Sequence, residues 1–276
     1  MERVSCLMIT DDRLGKFTQS FACYCNQEYI EKELVVITSG SDEYVEGLRR
    51  TIGERSDVSV VPVRGHFTLG ALRQFSVQHA SGPLICQWDD DDYSHPKRLS
   101  QQIGAMKEAG ARASYLVDNL HYFSDTKKLY WCDWSQSPVH VGHPGTLLAY
   151  KSEVPPYNET LDRREDSELQ RELMSSTRVA LLRGLGHLFI YVFHGGNVFG
   201  RRHHAALAHD YALCASEVIE RRAILDHVLN EYQFCLKPPI IVSESSGMTV
   251  YEWNPRENAY NPGESAARCS NEMFVV

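Results

Sequence analysis

Short apolar runs alternate with stretches of helical spacing through the N-terminal part of the chain. Residues 4 to 10, VSCLMIT, read as a buried strand. Helical spacing follows over 15 to 27, with Leu14, Phe17, Phe21 and Tyr24 on one face. ELVVI, 33 to 37, predicts a second strand, closed by the loop Thr38-Ser39-Gly40-Ser41-Asp42. Residues 43 to 54 predict a helix, and VSVVPV, 58 to 63, a third strand. A helix over Leu69 to Ala80 stops at Ser81-Gly82-Pro83, and LICQW follows as a fourth strand. Strands alternating with helices of this length indicate βαβ units and a mainly parallel sheet. In such sheets ligands bind beyond the carboxyl ends of the strands. The loops after residues 10, 37, 63 and 88 are therefore expected to share one rim.

After His95-Pro96 a helix is expected over 97 to 109, with proline near its first turn. Beyond it the pattern changes. SYLVDN, KLYWCDW and TLLAYK read as short strands of a more antiparallel part. A helix is expected from near Glu165 to Met174, and HLFIYVF is a strand ending at His194. Residues 212 to 232 read as helical and IIVSESSGMTVYEW as a terminal hairpin. The tail from Asn254, rich in Asn, Pro, Gly and Ser, reads as loop. The fold class is α/β: a mainly parallel central sheet flanked by helices, a smaller mixed or antiparallel part, and a C-terminal helix-hairpin extension.

Composition narrows the picture. The 276 residues are 43% hydrophobic, enough for a sizeable core. A net charge of -8 argues against binding nucleic acid or an anionic membrane through the whole surface. No apolar run reaches the roughly eighteen residues of a membrane-spanning helix, and MERVSCLMITDD lacks the pattern of a signal peptide. A cytoplasmic protein, soluble or peripheral to a membrane, is the expectation. The eight cysteines are widely spread and form no C-x-x-C pair. Reduced, buried thiols fit this spacing better than zinc ligands.

The run Asp89-Asp90-Asp91-Asp92 stands out because it follows an apolar strand directly. Like charges at neighbouring positions repel, and a buried strand end gains nothing from collecting them. Clustered carboxylates on a ligand rim suit hard divalent cations, and magnesium in particular takes one or two carboxylates plus substrate phosphates. In an extended segment Asp89 and Asp91 point one way, Asp90 and Asp92 the other, so one pair is expected to face a metal.

The stretch LGALRQFSVQHASGPLICQWDDDDYSHPKRL, 69 to 99, resembles the nucleotide-sugar site of inverting glycosyltransferases of the A-type (GT-A) fold. That large family includes cellulose- and chitin-synthase-like enzymes and many capsule and lipopolysaccharide enzymes. The resemblance begins at Val4 and covers roughly the first 200 residues. VSCLMITDDR, QEYIEKELVVITSGSDE, the stretch above, HPGTLLAYKS, REDSELQREL and YVFHGGNVF occur in family order. The resemblance implies a GT-A domain over 1–205, with a nucleotide-binding half at 1–112 and an acceptor half at 113–205, followed by an extension at 206–276.

It also implies roles for individual residues. Asp91 is expected to bind the metal, Mn²⁺ or Mg²⁺, and Asp89 to contact the nucleoside or bridge through water, with Asp90 beside them. Thr10, Asp11 and Arg13 match the turn that cups the base. Asp12 stands where members usually have Asn. The loop with Ser39 lacks the aspartate that often reads uracil, so Asp11 or Asp42 is expected to take its place. Arg73 matches a position near the diphosphate, where a guanidinium offers bidentate pairing. Glu165-Asp166 matches the acidic pair near the acceptor, with Asp166 as the general base and Glu165 or Asp162 as alternatives. His194, with His203 and His204 as rivals, matches a histidine that helps hold the metal or diphosphate. His143 and Gly145 match the floor of the acceptor or donor-sugar pocket, and Trp131 and Trp134 either offer faces for sugar rings or are buried in the core.

The expected activity is metal-dependent transfer of a sugar, from a UDP-sugar first of all, to an acceptor hydroxyl with inversion. The acceptor is a glycan, a lipid-linked sugar or another hydroxyl compound, in polysaccharide or glycoconjugate synthesis. Two other readings stand beside it. One is a nucleotidyltransferase or other metal-dependent phosphoryl-transfer enzyme, although Thr10-Asp11-Asp12-Arg13-Leu14-Gly15-Lys16 is too sparse for a P-loop. The other is a non-catalytic nucleotide-sugar-binding protein.

Overall fold

A computed structural model of the chain describes residues 1–137, 141–232, 235–236, 240–254 and 259–263. In chain order the first elements are β1 (Val4–Thr10), α1 (Leu14–Cys25), β2 (Lys32–Thr38), α2 (Asp42–Ile52), β3 (Val58–Pro62), α3 (Leu69–His79), β4 (Leu84–Gln87), β5 (Tyr93–Ser94) and α4 (Arg98–Glu108). Then come β6 (Ala113–Leu116), β7 (Asp118–Phe123), β8 (Lys128–Asp133), β9 (Leu148–Tyr150), α5 (Glu165–Ser176), β10 (Val179–Leu182) and β11 (Phe189–Phe193). The last are α6 (Arg201–Tyr211), α7 (Ala215–Glu220), α8 (Arg222–Glu231), β12 (Ile241–Ser243), β13 (Thr249–Asn254) and β14 (Ala259–Pro262). The chain forms two compact units, Met1–Leu116 with Gly142–Leu182, and Val117–Val141 with Arg183–Val276.

The first unit is built on a sheet of order β10-β6-β9-β4-β1-β2-β3. β1, β2, β3 and β4 are parallel, as are β10 and β6. Only β9 runs antiparallel, between β4 and β6. The β-branched and aliphatic run of each central strand makes it fit between two covered faces. Leu7, Val35, Ile37 and Ile85 pack with Leu72 and Val77 of α3 and Leu169 and Leu173 of α5 in one core. Each such side chain contributes about 1.5–3 kcal/mol on full burial. Thr10 lies in register with Thr38, and Thr38 with Pro62. The loops that follow these strands therefore leave the same sheet edge, as the alternating pattern predicts.

The second unit carries a mixed sheet in which β14, β13, β12, β8, β7 and β11 are successive neighbours. β7 and β8 form an antiparallel hairpin, while β11 pairs parallel with β7 and β12 parallel with β8. The expected terminal hairpin is β12–β13.

Several expectations need correction. SYLVDN is not one strand: β6 ends at Leu116 and β7 begins at Asp118, one in each unit. A continuous apolar run carries no mark of a strand that changes sheet. The helical stretch at 212 to 232 is two helices, α7 and α8. α6 escapes prediction because its buried stripe is only His204 and Ala208. β10 is four residues long, too short for a period to show. Part of the tail expected as loop forms β14 against β13; residues 255–258 and 264–276 lie outside the described residues. Each unit is built from two stretches of the chain, because β7 and β8 pair with the later strands β11 and β12.

Candidate active site

The aspartate run lies where β4 ends in the first unit. Its burial alternates, although the run forms a turn beyond the end of β4 and not the extended segment expected. Asp90 and Asp92 are 1% and 5% exposed, whereas Asp89 and Asp91 are partly exposed. Asp90 is therefore beneath the rim rather than on it. Its Oδ2 accepts from Thr10 Oγ1 at 2.7 Å and its Oδ1 from Arg13 Nη2 at 2.5 Å. Burial, and then the charge of Asp91, raise the Asp90 pKa to about 7, against the pull of Arg13 and Thr10.

The turn after β1 is pinned by this carboxylate and by Tyr44. The Tyr44 hydroxyl lies 2.5 Å from Thr10 Oγ1. Arg13 also reaches Asp91, Nη1 to Oδ2 at 3.2 Å. Asp12 holds a left-handed backbone, φ 46°, and its Oδ1 accepts from both the amide and the hydroxyl of Ser41. Strain of this kind at a non-glycine residue persists only where its surroundings fix it. Asp42 is paired with Arg64, which also donates to the Gly40 carbonyl at 3.2 Å. Asp11 is exposed, and a side-chain Cβ at Gly40 would come within 3.2 Å of its Oδ1. Ser39 is half-buried beside them.

Arg73, matched to a position near the diphosphate, lies among carboxylates. It is buried in α3, where Nη2 donates to Asp89 Oδ1 at 2.6 Å and Nε lies 3.5 Å from Glu165 Oε1. Its Nη1 is buried with no hydrogen-bond partner among the described residues. The two carboxylates raise the Arg73 pKa further, against burial, so its charge is fixed. α3 is aimed at α5 by its own start. Thr68 caps the helix at Ala71 N–H, 3.1 Å, and donates its hydroxyl to the Glu159 carbonyl. The Gly70 amide donates to the Leu161 carbonyl at 2.9 Å, and any Cβ at 70 would lie 2.1 Å from the Asn158 carbonyl oxygen. Glycine is required there by this close approach.

Glu165 and Asp166 open α5 behind Arg164, whose φ is 63°. Glu165 is 2% exposed. Asp166 is partly exposed, and its Oδ1 accepts from the Ser167 amide at 2.6 Å. Burial raises the pKa of both carboxyls, and in neither does the nearby Arg73 charge offset it. Both ordinarily titrate near the common carboxylate range, and here both hold their protons more tightly. Tyr157 is buried in the same charge field, and burial raises its pKa as well.

His143 and Gly145 form the turn before β9. His143 Nδ1 accepts from the Gly145 amide at 3.1 Å, and a Cβ at 145 would lie 3.1 Å from Asp89 Oδ2. Gly145 thus lets the backbone approach the aspartate run, while His143 is buried as the cap of that turn. Below them Arg98, fully buried, donates to the carbonyls of Gln87 and Gly145 at 3.2 and 3.3 Å. Neither Arg98 nor Tyr44 is singled out by the sequence pattern; each reads as an ordinary helix residue.

The remaining predicted residues belong to the second unit. Trp131 is 1% exposed and donates its indole N–H to Asp118 at 2.8 Å, so it is packed as core rather than presented to a sugar ring. Trp134 is partly exposed and tilted against Tyr211. His194 is half-buried; its Nδ1 accepts from the Gly196 amide at 3.2 Å, which in the neutral ring leaves the proton on Nε2. His204 is fully buried, 3.0 Å from His121.

Among the described residues no group of three or more His, Cys, Asp or Glu side chains is arranged to hold a metal ion. A site completed by phosphate oxygens needs only one or two carboxylates. Asp91 offers such an oxygen at the rim, where the Arg13 guanidinium stands at a place a cation is favoured, whereas the Asp89 oxygens accept from Arg73 and Gln87. The donor set therefore fits a hard divalent ion that arrives with a phosphate ligand. No described helix is long and apolar enough to cross a membrane.

A sequence model of glycosyl transferase family 2 matches residues 5–167, more than half of the chain. The match runs from β1 through Asp166 and stops before His194. No curated protein matches the chain in sequence. Solved structures similar in fold include residues 1–349 of S. aureus TarS, at TM-score 0.54 and 13% identity, over 84% of this chain and 70% of that one. TarS in complex with UDP-GlcNAc gives TM-score 0.57 and 13% identity, over 84% and 73%. The mannosyltransferase PcManGT from Pyrobaculum calidifontis, in complex with GDP-Man and Mn²⁺, gives 0.53 and 15%, over 86% and 66%.

Proposed function

The chain belongs to glycosyl transferase family 2 and has the GT-A fold, and from that premise we propose that it transfers a sugar from a nucleotide-sugar donor to an acceptor hydroxyl with inversion, with Mn²⁺ or Mg²⁺. The donor is a UDP-sugar in the first instance. The acceptor is a glycan, a lipid-linked sugar or another hydroxyl compound. The observation that carries this reading is Arg73, whose guanidinium touches Asp89 at 2.6 Å and Glu165 at 3.5 Å. One buried cation thus joins the carboxylates at the end of β4 to those at the start of α5, so donor and acceptor chemistry sit on one framework.

In the proposed mechanism Asp166 takes the proton of the acceptor hydroxyl as that oxygen attacks the anomeric carbon opposite the leaving diphosphate. Its partial exposure gives access, and its raised proton affinity suits a group that must accept a proton. Ser167 fixes the carboxylate's orientation through its amide. Arg73 holds Glu165 and Asp89 in place rather than binding the diphosphate. Asp91 would hold the divalent ion, which when bound offsets charge growing on the leaving diphosphate. The proposal places ligation on Asp91 and not on His194. Asp90 and Thr10 lock the turn that presents Asp11 to the base. With Asp42 occupied by Arg64, Asp11 is the carboxylate that replaces the missing base-reading aspartate.

Similar folds carry UDP-GlcNAc in one protein and GDP-Man with Mn²⁺ in another, so the base is the open choice that a donor panel resolves. Hydrolysis of UDP-, GDP-, CDP- and TDP-sugars is measured with Mn²⁺ and with excess chelator. Metal-dependent release of sugar from one donor is expected. Release of a nucleoside monophosphate instead supports a nucleotidyl-transfer enzyme, and binding without turnover supports a binding protein.

A further inference from the structure

Two of the four aspartates share one guanidinium, and unequally. Arg13 reaches Asp90 at 2.5 Å and Asp91 at 3.2 Å. The Asp90 side chain is 2% exposed, and its other oxygen is taken by Thr10. The side chains of Arg13 and Asp91 are 37% and 16% exposed. The Asp91 contact is thus the longer one and the one open to solvent. The backbone at Arg13 is fixed, since its carbonyl accepts from the amides of Lys16 and Phe17 at 2.9 and 3.1 Å. The fork can therefore release one carboxylate without moving the loop.

We propose that Arg13 is the resident counter-ion of Asp91, held there until a divalent cation displaces Nη1 while Nη2 stays on Asp90. This rests on the reading of Asp91 as the metal ligand. The guanidinium and a divalent ion seek the same carboxylate oxygen, and two cations a few ångströms apart repel. Cation affinity is therefore held down in the donor-free protein. A nucleoside diphosphate relieves the conflict twice over. It supplies further oxygen ligands to the ion, and it offers anionic oxygens to the N–H groups that Arg13 releases. Binding of cation and of diphosphate is then mutually favourable through one side chain of this chain.

The test is titration of the full chain with Mn²⁺ in the absence of nucleotide, followed by electron paramagnetic resonance of free Mn²⁺. Arg13→Gln is expected to tighten Mn²⁺ binding by roughly tenfold to a hundredfold, the range set by a hydrogen bond between charged groups. Arg13→Lys keeps the charge without the fork and is expected to fall between that variant and wild type. Arg55→Gln removes an equal charge from an arginine paired with Asp57, and is expected to change nothing. If melting shows that Arg13→Gln does not fold, the Lys variant carries the test with the same sign. Equal affinity in wild type and both Arg13 variants, with binding lost in Asp91→Asn, overturns the proposal and leaves Asp91 as the ligand. Weaker binding in Arg13→Gln also overturns it, making Arg13 a brace of the site. No Mn²⁺ binding by any of these proteins, with or without UDP or GDP, removes the metal reading and this proposal with it.

Discussion

Arg13 and Arg73 each sit between carboxylates in the first unit, and they differ chiefly in depth. The Arg13 side chain is 37% exposed and that of Arg73 8%. Near solvent an ion pair is worth about 0–1 kcal/mol and exchanges readily. Below the surface, removing one partner strands the other charges in a poorly solvated place, at about 3–5 kcal/mol. The same chemistry therefore gives a replaceable counter-ion at the rim and a fixed strut beneath it. The site needs both: a carboxylate whose counter-ion can give way to a cation, and a frame that keeps the two acidic groups in register.

The largest expected effect comes from emptying the rim. Asp91→Ala should reduce metal-stimulated transfer to background while the melting temperature stays level or rises, because one member of a repelling cluster is gone. Full activity of this variant, or of wild type in excess chelator, contradicts the role given to Asp91.

Next comes the other acidic group. Asp166→Asn keeps the shape and removes the base, so turnover should fall by roughly 10² to 10⁴ with donor affinity near wild type. If Asp166 only supports the helix start, turnover survives and the loss is at most about 2 kcal/mol of stability. The pH dependence has a definite sign. The pKa values of Glu165 and Asp166 are raised by burial, so the acidic limb of turnover should lie above the ordinary carboxylate range. The folded state binds these protons more tightly than the unfolded state does. Their contribution to stability therefore grows as pH falls through the folded pKa values and levels off below the unfolded ones. That slope should be shallower in Asp166→Asn.

Arg73→Met tests depth directly. It should cost about 3–5 kcal/mol in urea unfolding, whereas Asp91→Asn, which takes from Arg13 only its solvent-open partner, should cost about 1 kcal/mol or less. Equal losses would erase the contrast between rim and strut. The smallest effect expected is in the base loop. Asp11→Ala should weaken nucleotide diphosphate binding by about 1.5–3 kcal/mol, the worth of a charged hydrogen bond. Asp42→Ala, which removes a partner of Arg64, should leave it nearly unchanged. Calorimetry with UDP and GDP separates the two.

What the sequence discloses follows from how local each feature is. β1 to β4 and their helices are legible because each buries a face within a single apolar run, whereas the alternation of Asp89 to Asp92 arises in a turn beyond β4 and only coincides with a strand's period. Asp90 as a bracket is not legible, since its partners Thr10 and Arg13 are remote in the chain. Arg73 matches a diphosphate position in the sequence, and its link to Glu165 is not legible there because α5 is remote in the chain. Trp131 shows the same limit in the second unit. Its spacing fits either a sugar platform or a core residue, and Asp118, which decides, lies on the neighbouring strand.

The most direct test of the account is proton NMR of the sugar released or transferred from the preferred donor in the presence of Mn²⁺. A first product whose anomeric configuration is opposite to that of the donor is expected, formed by wild type, strongly slowed in Asp166→Asn and absent in Asp91→Ala. A first product of retained configuration, or a nucleoside monophosphate in place of the diphosphate, would contradict it.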